Sequence, residues 1–207
     1  MKKDKGEIVF TKYGPYTVVD TEIVDEDRGK IETPRVVSLC RCGKSENKPF
    51  CDGTHGKIGF IGERESEDKK GTRDYIGKKI TVHDNRHICS SHGTCNMEGV
   101  FLSNTDPWIV PDGSDDIEAI IAIVKKCPSG ALSYTLEGKH EDSWTEEQKI
   151  IVTRDGPLHV QGDVELKDDL ESDKNLVTTN HYALCRCGRS KNKPFCDGSH
   201  IDVEFKG

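Results

Sequence analysis

Six of the nine cysteines in this 207-residue chain fall into two blocks of the same spacing. Cys40, Cys42, Cys51 and His55 lie in CRCGKSENKPFCDGTH, and Cys185, Cys187, Cys196 and His200 lie in CRCGRSKNKPFCDGSH. Three of the sixteen paired positions differ (Lys/Arg, Glu/Lys and Thr/Ser), so thirteen are identical. Each block reads C-x-C-x8-C-x3-H. Two cysteines one residue apart in an extended loop can place both sulfurs on one metal. A third cysteine and a histidine four positions later can share the face of one helical turn, which suits a second metal. Such a donor set serves an iron–sulfur cluster or a Cys3His zinc site. Structural zinc sites usually separate paired ligands by two to four residues, and C-x-C is tighter. Spacing alone leaves both metals open, while the recurrence of the whole set argues against ordinary buried cysteines.

Both blocks resemble the CDGSH iron–sulfur family, whose pattern is C-x-C-x2-(S/T)-x3-P-x-C-D-G-(S/A/T)-H. Cys40, Cys42, Ser45, Pro49, Cys51, Asp52, Gly53, Thr54 and His55 match it. So do Cys185, Cys187, Ser190, Pro194, Cys196, Asp197, Gly198, Ser199 and His200. The resemblance implies a [2Fe–2S] cluster in each block, with the C-x-C pair on the inner iron and the third cysteine and the histidine on the outer one. It also implies a β-cap made by two subunits exchanging strands. Two copies in one chain suggest an intramolecular pseudo-dimer and a monomeric protein. Some family members have an N-terminal membrane anchor; with none read here, outer-membrane tethering is not expected to carry over.

The remaining cysteines lie between the blocks. Cys89-Ser-Ser-His92-Gly-Thr-Cys95 is a C-x2-H-x2-C run, and Cys127-Pro128 follows further on. A bacterial-type ferredoxin reads C-x2-C-x2-C and closes on a C-P cysteine. His92 stands where the second cysteine would be. Cys89, Cys95 and Cys127 could therefore hold a [3Fe–4S] cluster, or a [4Fe–4S] cluster whose fourth iron takes His92 or another ligand. A relic that binds nothing is the alternative. Residues 75–136 resemble a divergent single-cluster ferredoxin-like family, down to CPSGAL at 127–132. His83, His87, His140, His159 and His181 lack any repeated ligand spacing and are expected to be surface or structural residues.

Composition narrows the function. An odd cysteine count, no apolar leader at MKKDKGEIVF and no apolar run of membrane-spanning length point to a reducing cytoplasm rather than a disulfide framework. A net charge of −7 without a basic stripe argues against nucleic acid. There is no P-loop, no dinucleotide fingerprint and no G-x-S-x-G elbow, so a catalyst with its own substrate is not expected. An electron carrier serving a protein redox partner is the first expectation. A carrier that passes clusters to an apo-protein, or a pH or redox sensor, is the second, and a structural role is the third. A neutral imidazole in place of one thiolate should raise the potential above the plant-ferredoxin value near about −400 mV, and its protonation would couple redox state to pH.

The elements that must hold these residues read as α+β. With 33% hydrophobic and 32% charged residues, modules of this size need staples. The repeats are placed at 6–62 and 148–206, each with short strands, a loop-rich cysteine block and a short alternating strand after the histidine. Strands from 7–20 and 150–164 are expected to interleave, with both cluster loops exposed at one end. Pro49 and Pro194 could each begin a short helix, with Asp52 and Asp197 in its first turn. The inserted module is placed at 74–137. Within it, 79–83 alternates like a strand, and 114–126 reads as a helix capped by Ser114 with Ile117, Ile120, Ile121 and Val124 as its buried stripe. Residues 131–136 form a returning strand. The charged stretches 63–73 and 137–148 read as solvated linkers.

Overall fold

A computed structural model describes residues 5–65, 71–169 and 178–207. The first repeat supplies β1 (Glu7–Phe10), β2 (Tyr16–Val19), β3 (Glu22–Asp25), β4 (Gly29–Ile31), β5 (Val36–Leu39) and the one-turn helix α1 (Thr54–Lys57). The insert supplies β6 (Thr72–Ile76), β7 (Ile80–Asn85), α2 (Ile117–Lys125), β8 (Leu132–Leu136) and β9 (Lys139–Glu141). The second repeat supplies β10 (Lys149–Val152), β11 (Leu158–Gln161), β12 (Glu165–Asp168), β13 (His181–Leu184) and α3 (Ser199–Asp202). The chain is thus rich in short strands and poor in helix.

Each half of the chain lends a strand to the other half's sheet. One sheet runs β12-β1-β2-β5, and the other runs β13-β11-β10-β3-β4. In the first, β12 lies parallel to β1 with Ile8 opposite Leu166. In the second, β3 lies parallel to β10 with Ile23 opposite Ile150. The strands that cross over are therefore at 22–25 and 165–168, just beyond the stretches expected to interleave. Alternation drives this arrangement: Ile8, Phe10, Tyr16, Val18 and Ile23 point inward with Ile150, Val152, Leu158, Val160 and Leu166. The crossed strands let two modules, each too small for its own core, bury one shared core.

The insert forms a separate antiparallel sheet, β6-β7-β8-β9, with α2 packed on β8. Ile120, Ile121 and Val124 are the buried stripe of α2, while Ile117 is only partly covered. Its N-cap is Asp116 rather than Ser114. The Asp116 carboxylate accepts from the Ala119 N–H, and the Ser114 hydroxyl accepts from the Asp116 N–H in the loop before the helix.

Three further expectations change. Nothing strand-like follows either histidine: one helical turn continues into a bend, with Phe60 and Phe205 buried while Ile58 and Val203 stay exposed. Both turns start beyond the acidic residue, at Thr54 and Ser199, so neither proline begins a helix. The stretch 137–148 is no plain linker. It contains β9, and Trp144 stacks on Tyr134 of β8 and lies 4.9 Å from the His181 ring of β13. Of 63–73, residues 66–70 lie outside the described residues, and Thr72 and Arg73 belong to β6.

Candidate metal centres

In each repeat the last strand delivers the C-x-C pair, because β5 ends at Leu39 and β13 ends at Leu184. The backbone then turns back on itself. The Cys40 N–H donates to Pro49 O, and the Cys51 N–H donates to Ser38 O; Cys185–Pro194 and Cys196–Ala183 repeat both bonds. Ser45 and Ser190 donate to Phe50 O and Phe195 O, which ties the eight-residue loop shut. Asp52 and Asp197 cap the following turn by accepting from the Thr54 and Ser199 N–H groups. Gly53 and Gly198 precede the turns with φ of +84° and +92°, the left-handed region where a side chain is strained.

The donors come in pairs. Cys40 Sγ and Cys42 Sγ are 3.8 Å apart, and Cys185 Sγ and Cys187 Sγ are 3.7 Å apart. Two thiolates bound tetrahedrally to one metal at about 2.3 Å stand about 3.8 Å apart. Cys51 Sγ lies 3.3 Å from His55 Nδ1, and Cys196 Sγ lies 3.4 Å from His200 Nδ1, near the roughly 3.6 Å that one metal would set. Among the described residues, no three His, Cys, Asp or Glu side chains gather around a single point. The observed pairs suit two metals with two ligands each, as a dinuclear cluster requires.

The two blocks meet back to back. A Cβ on Gly43 would sit 2.4 Å from Cys187 O, and one on Gly188 would sit 2.5 Å from Cys42 O. Glycine is what allows the two C-x-C loops to touch through their backbones. Tyr16 of the first repeat also reaches the second block, its hydroxyl 3.0 Å from both Cys185 O and Pro194 O.

Spacing did not single out Arg41 and Arg186, the residues inside each C-x-C. Both are only 1% exposed. Arg41 donates to Thr11 O and Gly62 O and lies over the rings of Phe10 and Phe60. Arg186 donates to Thr153, Gly156 and Gly207 carbonyls and lies over Phe205. Arg41 Nε and Arg186 Nη1 have no hydrogen-bond partner, so the positive charge of each buried guanidinium is incompletely satisfied. An anionic cluster suits that surplus. Their recurrence in both blocks was the one trace in the sequence, and it did not indicate burial.

In the insert, Cys89, Cys95 and Cys127 line one cavity of about 760 Å³ together with His92, although Cys127 follows only after α2. Arg86 approaches Cys89 Sγ at 3.5 Å, and the Thr94 hydroxyl donates to Lys126 O, which holds the loop against the end of α2. The His92 ring lies against that of His159, 5.2 Å between centroids. His159 and His181 are buried, as structural histidines, but each borders a candidate centre.

The repeat sites are not equally exposed, contrary to the expectation that both loops lie open. Asn47 and Gly53 are exposed and Cys51 is half-buried, whereas Asn192, Cys196 and Gly198 are buried. Burial pushes the Cys196 thiol up to about 12. Burial, and then His92, lowers the affinity of His200 for a proton. Donating a hydrogen bond to Cys185, followed by burial, raises Cys187. These thiols resist ionisation without a cation, and metal ligation would supply one.

Comparison with known proteins finds iron-binding and 4Fe-4S family models over the stretches that carry these residues. A family model described as "Iron-binding zinc finger CDGSH type" matches residues 13–56 and 155–201. A model described as "Divergent 4Fe-4S mono-cluster" matches residues 75–137. The protein "CDGSH iron-sulfur domain-containing protein 3, mitochondrial" of Mus musculus is 68% identical over 26 residues, 13% of this chain and 19% of that one. Its Homo sapiens namesake is 62% identical over 26 residues, 13% of this chain and 20% of that one. The match thus spans about a fifth of each relative. No solved structure matches.

Proposed function

The chain carries two CDGSH-type iron–sulfur regions flanking a divergent 4Fe–4S region, and from that premise we propose a one-electron carrier with three centres. Two are [2Fe–2S] clusters, on Cys40, Cys42, Cys51 and His55 and on Cys185, Cys187, Cys196 and His200. The third is a [4Fe–4S] or [3Fe–4S] cluster on Cys89, Cys95 and Cys127, with His92, which lines the same cavity, a candidate for a fourth ligand. The crossed strands support reading the repeats as an intramolecular pseudo-dimer with a ferredoxin-like insert. The observation that carries the proposal is contiguity: the repeat loops touch at Gly43 and Gly188, and the insert meets the second repeat through His92 and His159.

When bound, such clusters take up and release single electrons. The side chains do the rest. His55 and His200 each replace a thiolate and so remove one negative charge. Arg41 and Arg186 hold positive charge in a low-dielectric interior, which favours the more negative, reduced state. The protein carries electrons rather than turning over a substrate, and its partner is another protein in a reducing cytoplasm. Fractionation that finds it in an organelle would contradict that location. Redox titration tests the carrier: His55→Cys and His200→Cys should each lower one potential by roughly 100 mV or more, toward the all-cysteine range. Unchanged potentials in both would remove the histidines from the ligand sets.

A second reading, a cluster carrier or pH and redox sensor, is favoured by the half-exposed Cys51–His55 pair. Transfer of clusters from the holoprotein to an apo-ferredoxin would favour it over electron transfer.

A further inference from the structure

Blocks that are nearly identical in sequence sit in different surroundings. Around the second, the Asn192 side-chain amide donates to His87 O of the insert. A Cβ on Gly198 would meet Ser91 Cβ at 2.8 Å, so the insert's cysteine loop lies directly on the turn before His200. The chain leaving the first repeat adds a second cover. The Glu65 N–H donates to Lys191 O, and Arg64 Nε donates to Lys193 O. Asn47, the counterpart of Asn192, is exposed instead, and nothing lies within 4 Å of a Cβ placed on Gly53. The Cys196 end of the second site therefore faces the insert's cysteines, while the Cys51 end of the first faces solvent.

We propose that the two repeat sites have different tasks: the Cys196–His200 site is the internal link to the insert's centre, and the Cys51–His55 site is the outlet through which the protein exchanges electrons with its partner. This rests on the carrier reading above. Each step is a one-electron exchange, in which one centre is oxidised as its neighbour, or the partner's centre, is reduced. No covalent bond is formed or broken. The contact at Gly43 and Gly188 joins the two sites, so the order is insert, second repeat, first repeat, partner. Access to the buried site requires local opening of the insert, whereas the open site needs none.

The test is the decay of visible absorbance when anaerobically purified full-length protein is mixed with excess ferrous chelator at about pH 6. Two repeat-cluster phases of similar amplitude are expected, at least fivefold apart in rate. Asn192→Ala, which loosens the cover, should speed the slow phase alone by threefold or more, and Asn47→Ala should change neither phase. Cys51→Ala should abolish the fast phase and Cys196→Ala the slow one. A single phase, or Asn47→Ala acting like Asn192→Ala, would overturn the division of tasks. Acid-labile sulfide measured on the same sample separates this result from failure of the underlying reading, which an absence of sulfide would signal.

Discussion

At the scale of single residues, contact distances decide what a substitution costs. Gly43 and Gly138 both have positive φ, +75° and +79°, but only Gly43 faces the backbone of the other repeat. Gly138→Ala should cost about 1–2 kcal/mol for the left-handed conformation alone. Gly43→Ala adds overpacking against Cys187 O and should cost about 2–5 kcal/mol. Urea unfolding of the two holoproteins measures the difference, and equal costs would mean the loops do not meet. His159 gives a pH dependence. Burial first, and then the neighbouring histidines, hold it neutral down to about 3. The unfolded histidine takes up its proton near pH 6.5, so stability is full above that and falls as acid approaches the folded value. Between pH 7 and 5.5 the loss from this residue is about 1 kcal/mol. His159→Gln should flatten the curve by that amount, and an unaltered slope would show that His159 titrates freely. The cysteine and histidine donors were legible because they recur at one spacing. Arg41 and Arg186 recur too, but a charged residue in a polar chain gives no sign that it is buried.

At the scale of elements, local rules found α2 and several strands, wrongly placed a strand after each histidine, and missed what long-range packing decides. The stripe of α2 and the alternation of β7 and β8 follow from periodicity. The choice of Asp116 over Ser114 as cap depends on where the preceding loop turns in, and both residue types cap well. Asp116→Ala should cost about 1 kcal/mol, and Ser114→Ala clearly less, by thermal unfolding. Equal costs would place the cap elsewhere. The lent strands β3 and β12 carried no partner in their own sequence. Trp144, amid the charges of 137–148, was hidden for the same reason. Either repeat expressed alone loses a lent strand and leaves an open edge. It should dimerise or fail to fold, and a folded monomer on size-exclusion chromatography would contradict the crossed pairing.

At the scale of the whole molecule, two strand-lending repeats and an insert bring the loops that carry three groups of donors into contact in one short chain. Cys187 and Cys196, which resist ionisation alone, and buried arginines without full hydrogen bonding describe a fold whose interior suits an anionic, metal-containing guest. Iron and acid-labile sulfide quantitation of anaerobically purified protein, with EPR before and after dithionite, tests this most directly. Four irons with matching sulfide in the repeats and three or four more in the insert, the latter lost in Cys127→Ser, is the expected result. Zinc without acid-labile sulfide would contradict it.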